Sequence, residues 1–483
     1  MIKKILLSSV LIASTFFMVN AQQIWSLEKC IQYARQNSLT MKQAEVGIKN
    51  TKLTEKQSRM ERMPSLNADG SGGYSFGRTI DPTTNTFQSL SRGTNSFSLG
   101  ANVTVYNGGR INNTIQQSRL DVAAQKADTE DIANNISLSV AGAYLNILFG
   151  EEQLINATKR LQQTQEQLSQ TDRLIQAGSL PENERLQILA QIAQNEQQVI
   201  AQENNVTISY LNLKNLLQLE PDFDLKVQDP GDIPIPADAA PELFNFKTIY
   251  NQALQAQPII KAGELRIRSA GLEVDIAKSG MLPSLSFFGN IRTDFATGVP
   301  DFGNPNLDNV AVQLGDPALF NITGIGDVSV TPYNTTGVTF PDRGYIDQLN
   351  DNFGQSVGIS LNVPIYNKHR NQINIERARL GILNSQITHE QNKQQLKADI
   401  QLAIADTKAA KKQLEAAQRT VDALQASYEN TEKKFKLGAA NTFEFTSAKN
   451  DLDLSKVDLT ISKYDYLYKL KIVDFYQGKK ITL

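Results

Sequence analysis

The sequence predicts an α+β membrane protein built by internal duplication, in which long α-helical coiled coils carry β-strands of transmembrane-barrel type, four strands per chain. Three observations predict this class. Tyr106-Asn107-Gly108-Gly109-Arg110 recurs as Tyr366-Asn367-Lys368-His369-Arg370, an offset of 260 residues. Strict alternation of apolar and polar residues precedes each motif, the mark of strands with one buried and one wet face. After each motif about 70 residues run without proline, a span of roughly 105 Å if helical at ~1.5 Å per residue.

The N-terminus carries Lys3 and Lys4, then the apolar stretch Ile5–Val19, then Val19-Asn20-Ala21. A basic start, a short apolar run and small residues before a cut define a secretory signal, 1–21, and 15 apolar residues are short for a membrane span of about 20. Cys30 follows Leu27-Glu28-Lys29, which lacks the small residues of a lipid-attachment site, so it reads as an ordinary helix residue. No other apolar run approaches 18 residues, which leaves an exported chain as either soluble or a β-barrel.

The first repeat is assigned to 22–218. A helical segment, about 26–62, ends before Met63-Pro64-Ser65-Leu66. Leu66, Ala68, Gly70, Gly72, Tyr74 and Phe76 then alternate with polar or small residues, and Phe97, Leu99, Ala101, Val103 and Val105 resume the pattern after a polar loop. Strands of about 10 residues with one apolar face fit a barrel with a wet lumen, although two amphipathic hairpins on a soluble core would show the same alternation. The long helix carries Leu154, Leu161, Leu168 and Ile175 at spacing seven, and these map at the same offset of 260 onto Leu414, Val421, Tyr428 and Phe435. Spacing seven over several turns is the pattern of coiled-coil packing. Gly178, helped by Pro181, ends the first long helix, and Gly438 ends the second. Return helices, about 182–218 and 442–477, carry Ile192, Val199, Val206 and Leu213 against Leu452, Leu459, Tyr466 and Val473.

Residues 219–245, rich in proline and aspartate, read as a linker. The second repeat, 246–483, repeats the order: a helix over 246–281, Leu282-Pro283-Ser284-Leu285, strand alternation at Leu285–Ile291 and again at Val357–Ile365, then the long helix. The proline motifs differ by an offset of only 219, so about 41 residues are inserted in the second copy, and 294–350, dense in Gly, Pro, Asn and Asp, is read as a long exposed loop. Four strands cannot close a barrel, since transmembrane barrels start at eight. Two chains would supply eight strands and three would supply twelve, and only more than eight open a channel.

The composition excludes several chemistries. There is one Cys and there are two His, His369 and His389, with 48 basic residues against 50 acidic. No disulfide framework, thiolate zinc cluster or HExxH-like site is available, and a near-neutral chain offers no basic excess for nucleic acid. No nucleotide loop or catalytic constellation is found, so neither an enzyme nor a cofactor is expected.

The signal, the two strand-plus-long-helix repeats, Pro-Ser-Leu before the first strand of each, and Tyr-Asn-x-x-Arg at the entry of each long helix resemble the TolC family of outer-membrane efflux proteins over residues 22–483. Phe76-Gly77-Arg78-Thr79-Ile80-Asp81-Pro82 is similar to members from Bacteroidetes-type bacteria. The resemblance implies a homotrimer with a 12-stranded β-barrel and a periplasmic α-helical coiled-coil barrel, the exit duct of a tripartite efflux or type I secretion system. It also implies a periplasmic adaptor, an inner-membrane pump, proton-driven or of ABC type, and outer-membrane lipid as partners. The residues that would meet the adaptor are the hairpin tips Gln176, Ala177, Gly178, Ser179 and Leu180, and Gly438, Ala439, Ala440 and Asn441. Glu184 and Glu444 would line the periplasmic aperture. The tyrosine and arginine of the family's closed-aperture network correspond to Phe435 and Ala440, and a second acidic position to Ser447. That lock is absent here, which leaves a hydrophobic constriction around Phe435 as one way to close. The competing reading is a periplasmic coiled-coil structural or adaptor-like protein without a pore.

Overall fold

The computed structural model describes residues 24–80, 87–229, 241, 244–307, 312–313, 318–322, 326–330, 333–334 and 338–479. The signal 1–21, the Asp81-Pro82 end of the loop motif and most of the linker's proline-rich part lie outside the described residues. The chain divides into two compact units. A helical unit combines the described parts of Met1–Glu55 with Gln116–Glu273 and Glu376–Leu483, and a sheet unit combines Lys56–Ile115 with Val274–Ile375.

Nine helices are described: α1 (Leu27–Asn37), α2 (Leu39–Met60), α3 (Arg110–Gln176), α4 (Asn183–Leu217), α5 (Phe246–Ala256), α6 (Pro258–Ser279), α7 (Tyr345–Asp351), α8 (Arg370–Lys436) and α9 (Thr442–Tyr476). The duplication shows in their lengths: α3 and α8 have 67 residues each, α4 and α9 have 35, α2 and α6 have 22, and α1 and α5 have 11. At ~1.5 Å per residue each of the longest pair spans about 100 Å.

The two segments expected as single helices, 26–62 and 246–281, are each broken once. In the second copy the break falls at Gln257, held extended at φ −78°, ψ 125° by the following Pro258, which lacks an N–H and excludes the helical conformation before it. Ser38 does the same in the first copy without a proline, at φ −54°, ψ 131°, with its N–H on the Ala34 carbonyl at 2.8 Å. The short helices fold back onto matching cores. Cys30 and Ala34 of α1 pack with Val140, Tyr144 and Leu213, while Ile249 and Ala253 of α5 pack with Ile400, Ile404 and Val473. Cys30 therefore occupies the place that Ile249 fills in the other copy, and burial pushes its thiol up to about 12.

The strands are β1 (Ile24–Trp25), β2 (Ser65–Ile80), β3 (Phe87–Asn107), β4 (Lys226–Val227), β5 (Ser284–Ala296), the short β6 (Asn306–Leu307), β7 (Val312–Gln313), β8 (Ala318–Ile322), β9 (Gly326–Val330), β10 (Tyr333–Asn334) and β11 (Val338–Thr339), and β12 (Gly354–Asn362). In the helical unit β1 and β4 pair in parallel, and the Tyr144 hydroxyl sits between them, donating to the Gln228 carbonyl at 2.6 Å with the Trp25 carbonyl at 3.2 Å. The start of the 219–245 linker is thus a built strand rather than free chain. By length and mean hydropathy alone α3 could cross a membrane, although its sequence holds no continuous apolar run of 18 residues. Its buried Val140, Ala141, Tyr144, Leu145, Ile147 and Leu148 form the Trp25 core, which accounts for the apolar composition without a membrane.

The sheet unit holds four antiparallel strands in the order β12-β5-β3-β2. The alternation expected to run to Ile365 ends as a strand at Asn362, two residues before Pro364, which cannot donate to a ladder. Segment 294–350, expected as a long exposed loop, carries short strand pairs and a helix among its described residues. Residues through Ala296 belong to β5, β6 pairs with β11, β7 with β10 and β8 with β9, and α7 closes the insertion. Strand pairs this short leave no alternation to read in a sequence full of Gly and Asn.

The repeated Tyr-Asn-x-x-Arg motif is a shared turn. Gly108 and Gly109 sit at φ 67° and 83°, and their counterparts Lys368 and His369 both sit at φ 58°. Two adjacent non-glycine residues in the left-handed region cost about 1–2 kcal/mol each, and the second copy keeps them. In the first copy a side chain is also excluded by space, because a Cβ on Gly108 would lie 2.8 Å from the Cβ of Leu282.

Candidate channel wall and hairpin tips

Register decides whether alternation in four separate strands produces one surface. Across the ladder Leu66, Ala101, Gly289 and Val357 form one row, Ala68, Leu99, Ile291 and Gln355 the next, and Val103, Phe287 and Ile359 another. Directly paired residues share a face, so the apolar positions of all four strands lie on one side. The other side is Asn67, Gly100, Asn290 and Ser356 in one row and Thr104, Ser286 and Ser360 in another, with Phe288 the exception, its ring lying over Gly358. The apolar face is uncovered: Val357 is 78% exposed and Ile359 69%. A bulge between Thr104 and Tyr106 brings Tyr106 opposite Leu285 and so onto that face. Aromatic residues mark its far end, where Tyr74 packs on Phe76 and Phe295 on Tyr345. Ten residues separate Leu285 from Phe295. At ~3.4 Å per residue and a tilt near 40°, that is a band about 26 Å high, close to the ~25 Å of transmembrane barrels.

In the helical unit, side chains join α2 to α3 (Arg119–Glu55, 3.5 Å), α3 to α6 (Gln117 to Glu273, 2.7 Å; Arg266 to Asp128) and α6 to α8, where Gly263 admits the His389 ring. Lower along the long helices the order is α4–α3–α9–α8, through Tyr210 to Glu151 at 2.7 Å, Asn156 to Asp458 at 3.3 Å and Lys469 to Asp406 at 3.2 Å. Burial pushes the Asp128 carboxyl up, against the pull of Arg266. The outermost helices of these series carry exposed apolar residues at spacing seven, Leu39, Val46 and Leu53 on α2 and Leu380 and Ile387 on α8. Such seams are coiled-coil faces left exposed among the described residues.

The expected tip residues lie at the ends of two helical hairpins. At the first, the Gly178 N–H donates to the Ile175 carbonyl (2.9 Å) and the Ser179 N–H to the Leu174 carbonyl (2.9 Å). At the second, Gly438 donates to Phe435 (3.0 Å) and Ala439 to Lys434 (2.8 Å). Both are Schellman caps with glycine at φ 73° and φ 70°, and nothing lies within 4 Å of where a Cβ would stand on either. Gln176, Ala177 and Ser179 are exposed beside the first, Ala439 and Asn441 beside the second, and Leu180 and Ala440 are half-buried.

Glu184 lies half-buried in the first turn of α4, where the helix dipole favours a carboxylate. Glu444 is exposed but engaged: its N–H donates to Asn441 Oδ1 at 2.9 Å and its Oε2 accepts from the Asn441 N–H at 3.2 Å, a capping box. Phe435, 36% exposed, stacks on Phe445 with centroids 4.9 Å apart, and Tyr428 packs on the same ring at 5.7 Å. Its ring is thus part of the α8–α9 seam. Phe445 and the Arg185–Asp172 ion pair (3.0 Å) escaped sequence reasoning because only the fold of the hairpin brings them together, and the capping box of Asn441 and Glu444 was missed although its spacing of three is a capping signal. Among the described residues no group of three or more His, Cys, Asp or Glu could hold a metal ion.

An uncovered apolar sheet face and two 67-residue helices, one in each repeat, fit the class of outer-membrane channels that combine a β-barrel with a helical tunnel. The profile of the outer membrane efflux protein family matches residues 30–218 and 345–471, and the chain belongs to that family, whose members are transport proteins of the outer membrane. It is similar to the cation efflux system protein CusC of Escherichia coli O6:H1, at 22% identity over 467 residues, covering 93% of this chain and 84% of CusC. The solved CmeC outer membrane channel of Campylobacter jejuni superposes with a TM-score of 0.70 at 16% identity, over 94% of this chain and 85% of CmeC. The outer membrane protein VceC of Vibrio cholerae gives 0.66 at 14% identity, over 94% and 96%. At these identities the two structures establish the fold.

Proposed function

We propose that three copies of this chain close their sheets into a 12-stranded barrel and form the passive exit duct of a tripartite efflux or type I secretion system. The observation that carries the reading is the four-stranded sheet, whose apolar face is continuous in register and whose outer strands, β2 and β12, each lack a neighbour on one side among the described residues. Open edges and an apolar surface cannot both face water, and a bilayer admits a sheet only when it is closed. Eight strands leave an interior filled by side chains, so a conducting lumen calls for twelve. The apolar seams of α2 and α8 would meet between neighbouring copies in the same ring.

On this reading the chain is cleaved after Ala21, the repeats 22–218 and 246–483 each supply one hairpin and one helical rod, and 219–245 links them. The helical unit stands in the periplasm. Its tips, Gln176–Leu180 and Gly438–Asn441, receive the periplasmic adaptor, and an inner-membrane pump, proton-driven or ABC, supplies the energy. Glu184 and Glu444, repeated three times, line the aperture and favour cations, and Phe435 with Phe445 forms its apolar collar. A periplasmic coiled coil without a pore leaves Val357 and Ile359 with no function for their exposure. Reconstituted in planar bilayers, the protein should give stable unit conductance with weak voltage dependence. Intact, folded protein that inserts and conducts nothing, with or without substitutions at the tip collar, would refute the duct.

A further inference from the structure

We infer that α7 is an interfacial element, lying on the lipid side of the barrel wall at the outer end of the apolar band and seating Ile346 and Phe353 in the outer leaflet. The inference rests on the reading of the apolar face as lipid-facing. Three contacts put α7 on that face: Thr293 Oγ1 donates to the Leu349 carbonyl at 2.6 Å, Phe295 packs on Tyr345 with centroids 4.5 Å apart, and Asn95 reaches the Tyr345 hydroxyl at 3.5 Å. Thr293 and Phe295 have the parity of Leu285, Phe287 and Ile291, and Asn95 is the ladder partner of Phe295.

The helix is held firmly there. The Ala296 N–H donates to the buried Gln348 Oε1 at 3.1 Å, and Asn352 Nδ2 donates to the Asp294 carbonyl at 2.6 Å. Arg343 clamps the entry by pairing with Asp301 at 2.9 Å and Asp351 at 2.6 Å. Anchored in this way, α7 leaves Ile346 64% exposed, and Phe353, between α7 and β12, is 52% exposed. Ile346 directly follows Tyr345, whose ring packs on Phe295 of the apolar face. A tyrosine with its hydroxyl hydrogen-bonded beside outward aliphatic and aromatic groups suits the boundary between acyl chains and headgroups.

Nitroxide labels at Ile346→Cys and, separately, Phe353→Cys test this in the full-length oligomer reconstituted in lipid vesicles. Cys30 is buried with its thiol pushed up to about 12, so the introduced cysteine alone reacts. Collision with oxygen, which partitions into lipid, is compared with collision with a water-soluble nickel chelate, using Val357→Cys and Ser356→Cys as references for the two faces. Both α7 labels should favour oxygen severalfold, like Val357, while Ser356 favours the chelate. Chelate-dominated α7 labels beside an oxygen-dominated Val357 would overturn the placement of α7 and leave the barrel standing. Labels shielded from both reagents would replace lipid by a protein contact and overturn it too. A chelate-dominated Val357 would instead show that the lipid-facing reading itself fails.

Discussion

Ile291 and Asn290 are neighbours on the central strand β5 and face opposite ways, which makes them a direct test of the wall. Ile291 stands between Leu99 and Gln355 on the apolar face, six residues from Leu285 and four from Phe295, near the middle of the band. Asn290 stands between Gly100 and Ser356 on the polar face. An arginine at the bilayer midplane of a barrel's lipid face costs about 2–4 kcal/mol, so Ile291→Arg should destabilise by about 3 kcal/mol, a shift of roughly 150-fold in the folding constant. Asn290→Arg enters a wet lumen and should stay within about 0.5 kcal/mol. The assay is equilibrium folding into vesicles across a guanidinium series, followed by the heat-modifiable gel shift of the folded barrel. Equal costs at the two positions, or a larger cost at Asn290, would refute the assignment of faces.

Other consequences follow from the turns and the buried histidine. Gly178→Ala or Gly438→Ala forces a Cβ into the left-handed caps and should cost about 1 kcal/mol by thermal unfolding, while Gly178→Trp with Gly438→Trp should abolish adaptor pulldown without dissociating the oligomer. Lys368→Gly relieves left-handed strain and should raise stability by about 1 kcal/mol, whereas Gly108→Ala meets Leu282 and should lower it by at least about 1 kcal/mol. His389 is 7% exposed, and burial, reinforced by Lys393 and opposed by Glu264 and Glu390, lowers its pKa. The unfolded chain therefore binds the proton more readily: stability is complete above about pH 6.5 and falls as the pH drops through the folded value. Melting temperatures between pH 5 and 8 should show this slope, and His389→Gln should flatten it.

Much of this architecture was legible because it is periodic. Spacing seven over α3 and α8, the glycines that end them and the strict alternation of β2, β3, β5 and β12 are each local patterns repeated many times. What remained hidden depends on contacts between distant segments or on a single residue. Ser38 breaks a helix with no proline to announce it, the row Leu66-Ala101-Gly289-Val357 requires a register that long loops do not specify, and α7 emerges from a segment with no periodicity. The candidate site divides in the same way. Gly178 and Gly438 were readable as helix ends, and their Schellman caps agree, but the stacking of Phe435 on Phe445 required the hairpin itself.

The central claim is that copies of this chain complete one another's sheet. The mass of the detergent-solubilised particle, with the detergent contribution subtracted, tests it most directly. Three chains per particle, resistant to unheated sodium dodecyl sulfate, is the predicted result. A stable particle of one chain or of two would contradict it.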